Sequence, residues 1–313
     1  MSDFELILDI SKLSLNLQKN GKKINNIPKP IIKWAGGKSK IIDIILCQYP
    51  TEIQNYHEIF IGGGSILFAF LEYCNQKIIT IKEKIYAYDI NQELIGMYKD
   101  IQSRPHELYE EIQKYIIIYK NLSSNEQEKY YYKLREQYNN LMKNKTNETL
   151  IISALFIILN KLCFRGLYRI GPNGFNVPYG NYKNPEIINL EHLINISKLI
   201  APVVFESLDF RLSIPLIKKY DFVYMDPPYF PEKKTSFVSY SENGFNYADH
   251  KELFTMCYTF KERGIYLLMS NSPSVKVSFT SEHGFSILDI KSRRSINSKT
   301  PDDIANEILI INY

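Results

Sequence analysis

The sequence predicts an α/β fold with a helical segment inserted into it, and three observations carry that prediction. Short apolar runs of strand length alternate with helical patterns from Tyr56 to Lys99, and again from Val203 to the end of the chain. Between them, residues 105–200 lose the strand signal and read as long helices. Two strands end in turns that carry chemistry, Gly62-Gly63-Gly64-Ser65 and Asp226-Pro227-Pro228-Tyr229, and open α/β sheets receive ligands at such strand ends.

Composition limits the function classes. A chain of 313 residues, 45% hydrophobic and 23% charged, can bury a large core. The net charge of +4 permits a nucleic-acid partner without requiring one. Cys47, Cys74, Cys163 and Cys257 form no close pair and no metal-ligand spacing, so they are expected to be reduced, with no metal, in a cytoplasmic-type compartment. No basic segment followed by a long apolar core opens the chain, so no signal peptide is expected. The longest apolar run, Leu150 to Leu159, is about half the ~20 residues of a membrane helix, so it reads as a buried helix and no membrane association is expected.

Taken in order, residues 1–29 read as an N-terminal extension, with a short amphipathic helix over Phe4–Leu17 and a Lys/Asn-rich linker ending at Pro30. Lys33-Trp34-Ala35-Gly36-Gly37-Lys38-Ser39 holds the only tryptophan. Its end resembles a P-loop, but that motif needs a glycine five residues before Gly37, where Ile32 stands. A turn closing on an anionic or aromatic ligand through Lys38 and Trp34 fits better; a simple turn before a helix over Lys40–Leu46 is the alternative.

Tyr56–Ile61 reads as a strand, Gly62–Ser65 as a glycine loop and Ile66–Tyr73 as a helix, the arrangement that receives nucleotide-like ligands. A second strand, Ile85–Tyr88, ends in Asp89, an acid placed to hydrogen-bond ribose hydroxyls. Asp89 equally suits the N-cap of a helix over Gln92–Lys99, and both roles are compatible.

Helices follow over His106–Leu122, Glu126–Met142, Glu148–Leu162 and Leu190–Ile200. Among them, Cys163–Tyr182 is punctuated by glycine and proline as a hairpin or ordered loop. Lys161, Arg165, Arg169 and Lys183 alternate there with Phe164, Leu167, Tyr168 and Phe175, and basic residues interleaved with aromatics mark a nucleic-acid reader. Strands return at Val203–Glu206, Phe222–Met225, Ile265–Met269, Ser286–Ile290 and Glu307–Asn312, with a helix over Asp249–Lys261 and a loop over 230–247 beside the Asp226 turn. Lys291-Ser292-Arg293-Arg294 is either a surface turn or a phosphate clamp.

The turn after Met225 suits methyl transfer to an exocyclic amino group on a base. That nitrogen is a poor nucleophile because its lone pair is delocalised into the ring. Two acceptors on its N–H bonds, the Asp226 carboxylate and the Pro227 carbonyl, would favour a pyramidal nitrogen with its lone pair free. The Tyr229 ring would stack on the base, contributing about 1–3 kcal/mol. A strand followed by an ordinary Pro-Pro turn would leave the same tetrapeptide.

From about Pro30 onward the chain resembles the Dam-type, D12 class of S-adenosylmethionine-dependent DNA adenine-N6 methyltransferases. The likeness rests on Lys33–Lys38, Glu58–Ser65, Asp89-Ile90-Asn91, Asn176–Gly180, Asp226–Tyr229 and Arg293–Ile296, in that order and spacing. It implies a Rossmann-like seven-stranded mixed sheet, formed by residues 30–104 and 201–313, with an inserted helical target-recognition domain, 105–200, carrying a β-hairpin. It implies S-adenosylmethionine held by Trp34, Ala35, Gly36, Gly37, Lys38, Phe60, Gly62, Gly64, Ser65, Asp89, Ile90, Asp209, Phe210 and Asp226. Asp226, Pro227, Pro228 and Tyr229 would be catalytic. Lys33, Arg165, Leu167, Arg169, Pro178, Asn181, Tyr182, Arg293 and Arg294 would contact double-stranded DNA. Lys33 and Arg169 match guanine-reading positions, and Arg165 and Leu167 positions that wedge into the opened duplex.

Ile59 stands where the family usually carries proline, and Arg165 where its hairpin usually carries asparagine. The implied activity is methylation of a flipped adenine within GATC or a related short site, by a monomer or weak dimer with a possible restriction-endonuclease companion. A viral source would move the expected compartment to the host cytoplasm or nucleus. An RNA adenine-N6 methyltransferase and a non-catalytic DNA-binding homologue are the alternatives.

Overall fold

The computed structural model describes residues 27–144, 147–230, 245–293 and 304–313. The helix expected over Phe4–Leu17, most of the loop 230–247 and Arg294 lie outside the described residues, as does the side chain of Arg293.

The main sheet is built from β2 (Tyr56–Ile59), β4 (Ile85–Asp89), β7 (Val203–Ser207), β8 (Phe222–Met225), β9 (Tyr266–Asn271), β10 (Ser286–Arg293) and β11 (Ile304–Ile311). Their spatial order is β10-β11-β9-β8-β2-β4-β7. β11 runs antiparallel to both neighbours, and the remaining pairs are parallel. This is the seven-stranded mixed sheet the sequence leads one to expect. A smaller parallel pair, β1 (Glu52–Ile53) with β3 (Thr80–Ile81), was not anticipated; two residues are too short to leave a periodic signal.

Helices cover both faces, so strands in the centre of the sheet read as unbroken apolar runs. The four residues of β2 and of β8 are all buried. In β8, Phe222 and Tyr224 join one core, and Val223 and Met225 the other. The larger core also takes in α1 (Ile42–Leu46), α2 (Ser65–Asn75), α3 (Gln92–Ser103) and α7 (Leu190–Leu199). The smaller holds Phe210 of α8 (Phe210–Ser213) and the inner side of α9 (Tyr247–Glu262).

The segment expected to be inserted forms α4 (Pro105–Lys120), α5 (Ser124–Lys143) and α6 (Thr149–Leu162). Pro105 opens α4, where its missing N–H costs nothing. Ser123 and Glu126 form a capping box on α5. The apolar α6 lies against α3, α4 and α5, so the larger core runs continuously from the sheet into these helices.

Two ends differ from the sequence pattern for local reasons. β2 stops at Ile59 rather than Ile61, because Phe60 takes a left-handed backbone (φ 71°) that leaves the sheet. The first helix begins at Ile42 rather than Lys40, because Lys38 to Ile41 is occupied by a turn closed by the Ile41 N–H on the Lys38 carbonyl.

A buried polar cluster ties β2 to the start of β8. His57 Nε2 lies 3.2 Å from Asp221 Oδ2, and both side chains are 1% exposed. Asn55 Nδ2 donates to Asp221 Oδ1 at 2.8 Å, and the Lys218 N–H to Oδ2 at 2.7 Å. Burial raises the Asp221 carboxyl, but hydrogen bonds from His57, Asn55 and Lys218 outweigh it and hold the group below its ordinary value. A depressed carboxyl stabilises the fold above the unfolded pKa of about 3.9, and the contribution fades as pH falls through the folded value. Asp221→Asn should therefore lose about 1.5–3 kcal/mol near neutrality. The gap to wild type should narrow in urea melts repeated below about pH 3.9; a gap independent of pH would show that charge is not what Asp221 contributes.

Candidate active site

β2 and β8 pair directly, Ile59 opposite Met225, and from this pair the chain builds outward in opposite directions. Helices on either side diverge at such a reversal and leave a crevice above the strand ends. The two turns singled out in the sequence therefore emerge side by side.

The first turn is shaped by close approach. Gly62 (φ 50°) faces the Trp34 indole, and a Cβ there would lie 2.7 Å from Trp34 Cδ1. Gly64 (φ 75°) precedes α2, where a Cβ would meet the Tyr98 hydroxyl at 2.7 Å. Tyr98 Oη donates to the Gly62 carbonyl at 2.9 Å. Trp34 stacks on Tyr168 at 5.5 Å between ring centroids, so it wedges between the glycine loop and the segment after α6. Ala35, Gly36 and Gly37 form an exposed turn, and Ser65 is the first residue of α2.

Asp89 closes this turn from β4. Its Oδ2 accepts the Gly62 N–H at 3.1 Å and its Oδ1 the Asn91 N–H at 3.0 Å. Burial raises its carboxyl against hydrogen bonds from the Asn91, Gly62 and Ile90 N–H groups. The helix cap expected of Asp89 belongs instead to Asn91, whose Oδ1 accepts the Leu94 N–H at 2.8 Å. The reason is reach: the cap must lie beside the first turn of α3, and Asp89 still belongs to the strand. Ile90 beside it is 57% exposed.

Beyond β7, Phe210 lies 5.8 Å from Phe60 and 5.7 Å from Phe245, ring to ring. Asp209 caps α8 and is ion-paired with Arg211 at 3.0 Å, while Arg211 also reaches Asp249 and Glu252. The Asp209 carboxylate is thus engaged in fastening α9 to α8.

At the second turn, Lys38 Nζ bonds Asp226 Oδ2 at 2.7 Å and the Gly36 carbonyl at 2.7 Å. Lys38 is only 5% exposed. It also sits 4.8 Å from the centroid of the Tyr229 ring. Asp226 Oδ1 is buried and has no hydrogen-bond partner among the described residues. Burial raises the Asp226 carboxyl, Lys38 lowers it, and Glu307 raises it further. Tyr229 Oη donates to Glu307 Oε2 at 2.7 Å. Pro227 is buried and Pro228 half-buried. Asn271 Oδ1 accepts the Phe230 N–H at 3.2 Å, and Ser272 Oγ donates to the Phe230 carbonyl at 2.8 Å, so the exit of the turn is pinned to the end of β9. Beneath the site, burial pushes Glu58 up to about 8, opposed by hydrogen bonds from Tyr56 and the Leu67 N–H and reinforced by Asp226.

The basic segment after α6 forms a short hairpin, β5 (Ile170–Gly171) with β6 (Gly174–Phe175). Three side chains four residues apart on α5 hold it. Tyr131 Oη and Arg135 Nη1 both donate to the Val177 carbonyl, at 2.7 and 3.2 Å, and Asn139 brackets Phe175 through its N–H and its carbonyl at 2.8 and 3.0 Å. Arg165, Leu167, Arg169, Pro178 and Asn181 are exposed, as is Lys33. Arg169 Nε donates to Asn176 Oδ1 at 2.6 Å, which aims the guanidinium across the hairpin. Burial, with Lys33 adding to it, holds the Lys161 ammonium below its ordinary value.

The family model for D12 class N6 adenine-specific DNA methyltransferases matches residues 34–296. The chain belongs to this family. It is 38% identical over 294 residues to the type II methyltransferase M.MjaIII of Methanocaldococcus jannaschii, covering 91% of this chain and 99% of that one. It is 32% identical over 302 residues to M1.LlaDCHI of Lactococcus lactis subsp. cremoris, covering 95% and 98%. A DNA adenine methylase of Vibrio cholerae is 30% identical over 246 residues, covering 78% and 81%. The chain is therefore an adenine-specific DNA methyltransferase, acting on DNA. Among the described residues, no helix is long and apolar enough to cross a membrane.

Within this methyltransferase, several residues at the site carried no usable sequence signal. Glu307 reaches Tyr229 from the antiparallel strand, and Asn271 reaches Phe230 from β9; Glu307 opens an ordinary apolar strand pattern and Asn271 lies just past the end of another. Tyr131, Arg135 and Asn139 fall within the helix expected over Glu126–Met142, but nothing in that pattern says what they hold.

The Lys38–Asp226 pair gives a pH prediction. Lys38 lowers the Asp226 carboxyl, so Lys38→Met should let burial push that group higher. If the ionised form is the active one, the acid limb of the pH–rate profile should move up by about 1–3 units. An acid limb unchanged in Lys38→Met would show that Asp226 does not set it.

Proposed function

We propose that this enzyme transfers a methyl group from S-adenosylmethionine to N6 of an adenine rotated out of duplex DNA, within GATC or a related short site. The observation that carries the reading is the buried Asp226 Oδ1 at the mouth of the Pro-Pro turn, which has no hydrogen-bond partner among the described residues. An unmet acceptor of this kind is costly unless a donor arrives, and an exocyclic amino group brings two N–H bonds. One would go to Asp226 Oδ1 and the other to the Pro227 carbonyl, leaving the nitrogen lone pair free to form the new N–C bond.

The residues around the crevice fit the cofactor. Asp89 and exposed Ile90 would face its ribose and base, Phe60 and Phe210 would flank the base, and the glycine loop with Trp34 and Lys38 would bound its amino-acid end. Bound there, it supplies a sulfonium-activated methyl group. As N6 gains the methyl carbon it must release one proton. Asp226 Oδ1, accepting one of the N6 hydrogens, would be placed to take it, and burial favours that protonated form. Lys38 holds the other carboxylate oxygen and one face of the Tyr229 ring, so the base would stack on the opposite face. Glu307 anchors the phenol and keeps that ring upright. Catalysis is then mainly placement and preorganised hydrogen bonding.

Rotation of the base out of the stack costs a few kcal/mol. The exposed Arg165 and Leu167 would offset this by entering the gap, while Lys33 and Arg169 read guanine edges in the major groove. Pro178, Asn181 and Tyr182 would support the backbone contacts.

Two measurements test the proposal. With labelled S-adenosylmethionine and unmethylated genomic DNA, wild type should methylate adenine at one short motif, and Asp226→Ala should keep DNA binding while losing turnover; unchanged turnover would remove Asp226 from the mechanism, and transfer to RNA alone would change the substrate. Arg169→Ala should relax preference at one base pair, with about 1–3 kcal/mol of discrimination lost there. Equal loss on every sequence would mark Arg169 as a phosphate contact instead.

A further inference from the structure

Asn160 is buried, 3% exposed, and lies in the last turn of α6. Both its amide oxygen and its amide nitrogen are engaged. Its Oδ1 accepts the Lys33 N–H at 2.8 Å, and its Nδ2 donates to the Lys33 carbonyl at 2.8 Å and to the Gly166 carbonyl at 3.2 Å. One side chain thus grips both backbone groups of Lys33, 127 residues away, and the root of the loop that carries Arg165 and Leu167.

The contact beneath this grip has no slack. Gly166 has φ 64°, and a Cβ there would lie 2.4 Å from Lys33 Cβ. On the solvent side Tyr182 repeats the connection, accepting the Arg165 N–H at 2.7 Å while Lys33 Nζ sits 4.4 Å from its ring centroid. Lys33 and the loop are therefore held as one surface from below by Asn160 and from above by Tyr182.

We propose that Asn160 is a positioning residue for sequence discrimination: it sets the spacing between Lys33 and the Arg165–Arg169 loop, so that the two contact the same duplex in one register. This inference rests on the reading of Lys33 and the loop as DNA contacts. Two readers on separate segments discriminate only if their separation matches the groove. Without the shared amide, each could still meet DNA, but a wrong site would be accommodated by a small shift of one against the other. Only an uncharged amide suits the position. It must accept from one N–H and donate to two carbonyls, and an ionised carboxylate would repel both carbonyls.

The test compares wild type, Asn160→Ala and Asn160→Asp on a duplex with the mapped target site and on duplexes with one base pair changed. The quantity read is the ratio of kcat/KM between target and changed site. In Asn160→Ala that ratio should fall about tenfold or more at the base pairs that Lys33→Ala and Arg169→Ala also relax. In Asn160→Asp it should be low when the carboxylate is ionised and recover as pH is lowered, because the protonated acid can again donate to a carbonyl. That recovery is read within one folded protein, so it holds even if the alanine variant fails to fold. A parallel loss on all duplexes, or an Asp variant whose ratio ignores pH, would overturn the proposal while leaving the methyltransferase reading intact. A wild type that methylates no DNA would overturn both.

Discussion

The arrangement depends first on β2 lying next to β8. Because the chain builds away from this pair in both directions, the connections leaving it diverge and open a crevice above the carboxyl ends of the two strands. The glycine loop leaves one strand at Phe60 and the Asp226 turn leaves the other at the same register position, each one residue past the Ile59–Met225 pair. Had any strand come between them, the two would stand about 4.8 Å further apart for each strand inserted, and Lys38 could not bridge from the Gly36 turn to Asp226. The site is a consequence of strand order before it is a consequence of side-chain choice.

Charge at the two turns is then handled unequally. Lys38 pairs directly with Asp226, a half-buried acid, while the neighbouring Glu58 is fully buried. Burial pushes Glu58 toward its neutral form, and it lies where the Leu67 N–H of the first turn of α2 can reach it. Asp226 keeps one oxygen paired and one open. This asymmetry is the chemically useful feature: a fully paired carboxylate would have no acceptor to offer, and a fully unpaired one would be protonated by burial.

The hairpin is positioned by the same logic of borrowed hydrogen bonds. Its own ladder is two residues long on each side, too short to be rigid unaided. Tyr131, Arg135 and Asn139 supply donors and an acceptor from one face of α5, and Asn160 supplies one more bond at its root, to the Gly166 carbonyl, and two that tie it to Lys33. Rigid helices thereby impose their geometry on a loop whose exposed residues face away from the core.

The sequence by itself determined what depends on neighbours along the chain. Strand and helix periodicity, glycine where the backbone must turn left-handed, and two prolines ending a strand are local properties, so the strands of the main sheet, the long helices and both turns were legible, as were Asp226, Tyr229 and Lys38 as residues with chemistry to perform. Tertiary structure decided the partners. Lys38 meets Asp226 across 188 positions, Glu307 meets Tyr229 from an antiparallel strand, and Asn160 meets Lys33 from the end of α6. It also moved the α3 cap from Asp89 to Asn91 and gave the Asp209 carboxylate to Arg211. The physical reason is common to all of these: periodicity records whether a residue is buried, while a hydrogen bond between distant segments depends on strand order and helix packing, which leave no pattern in either segment alone.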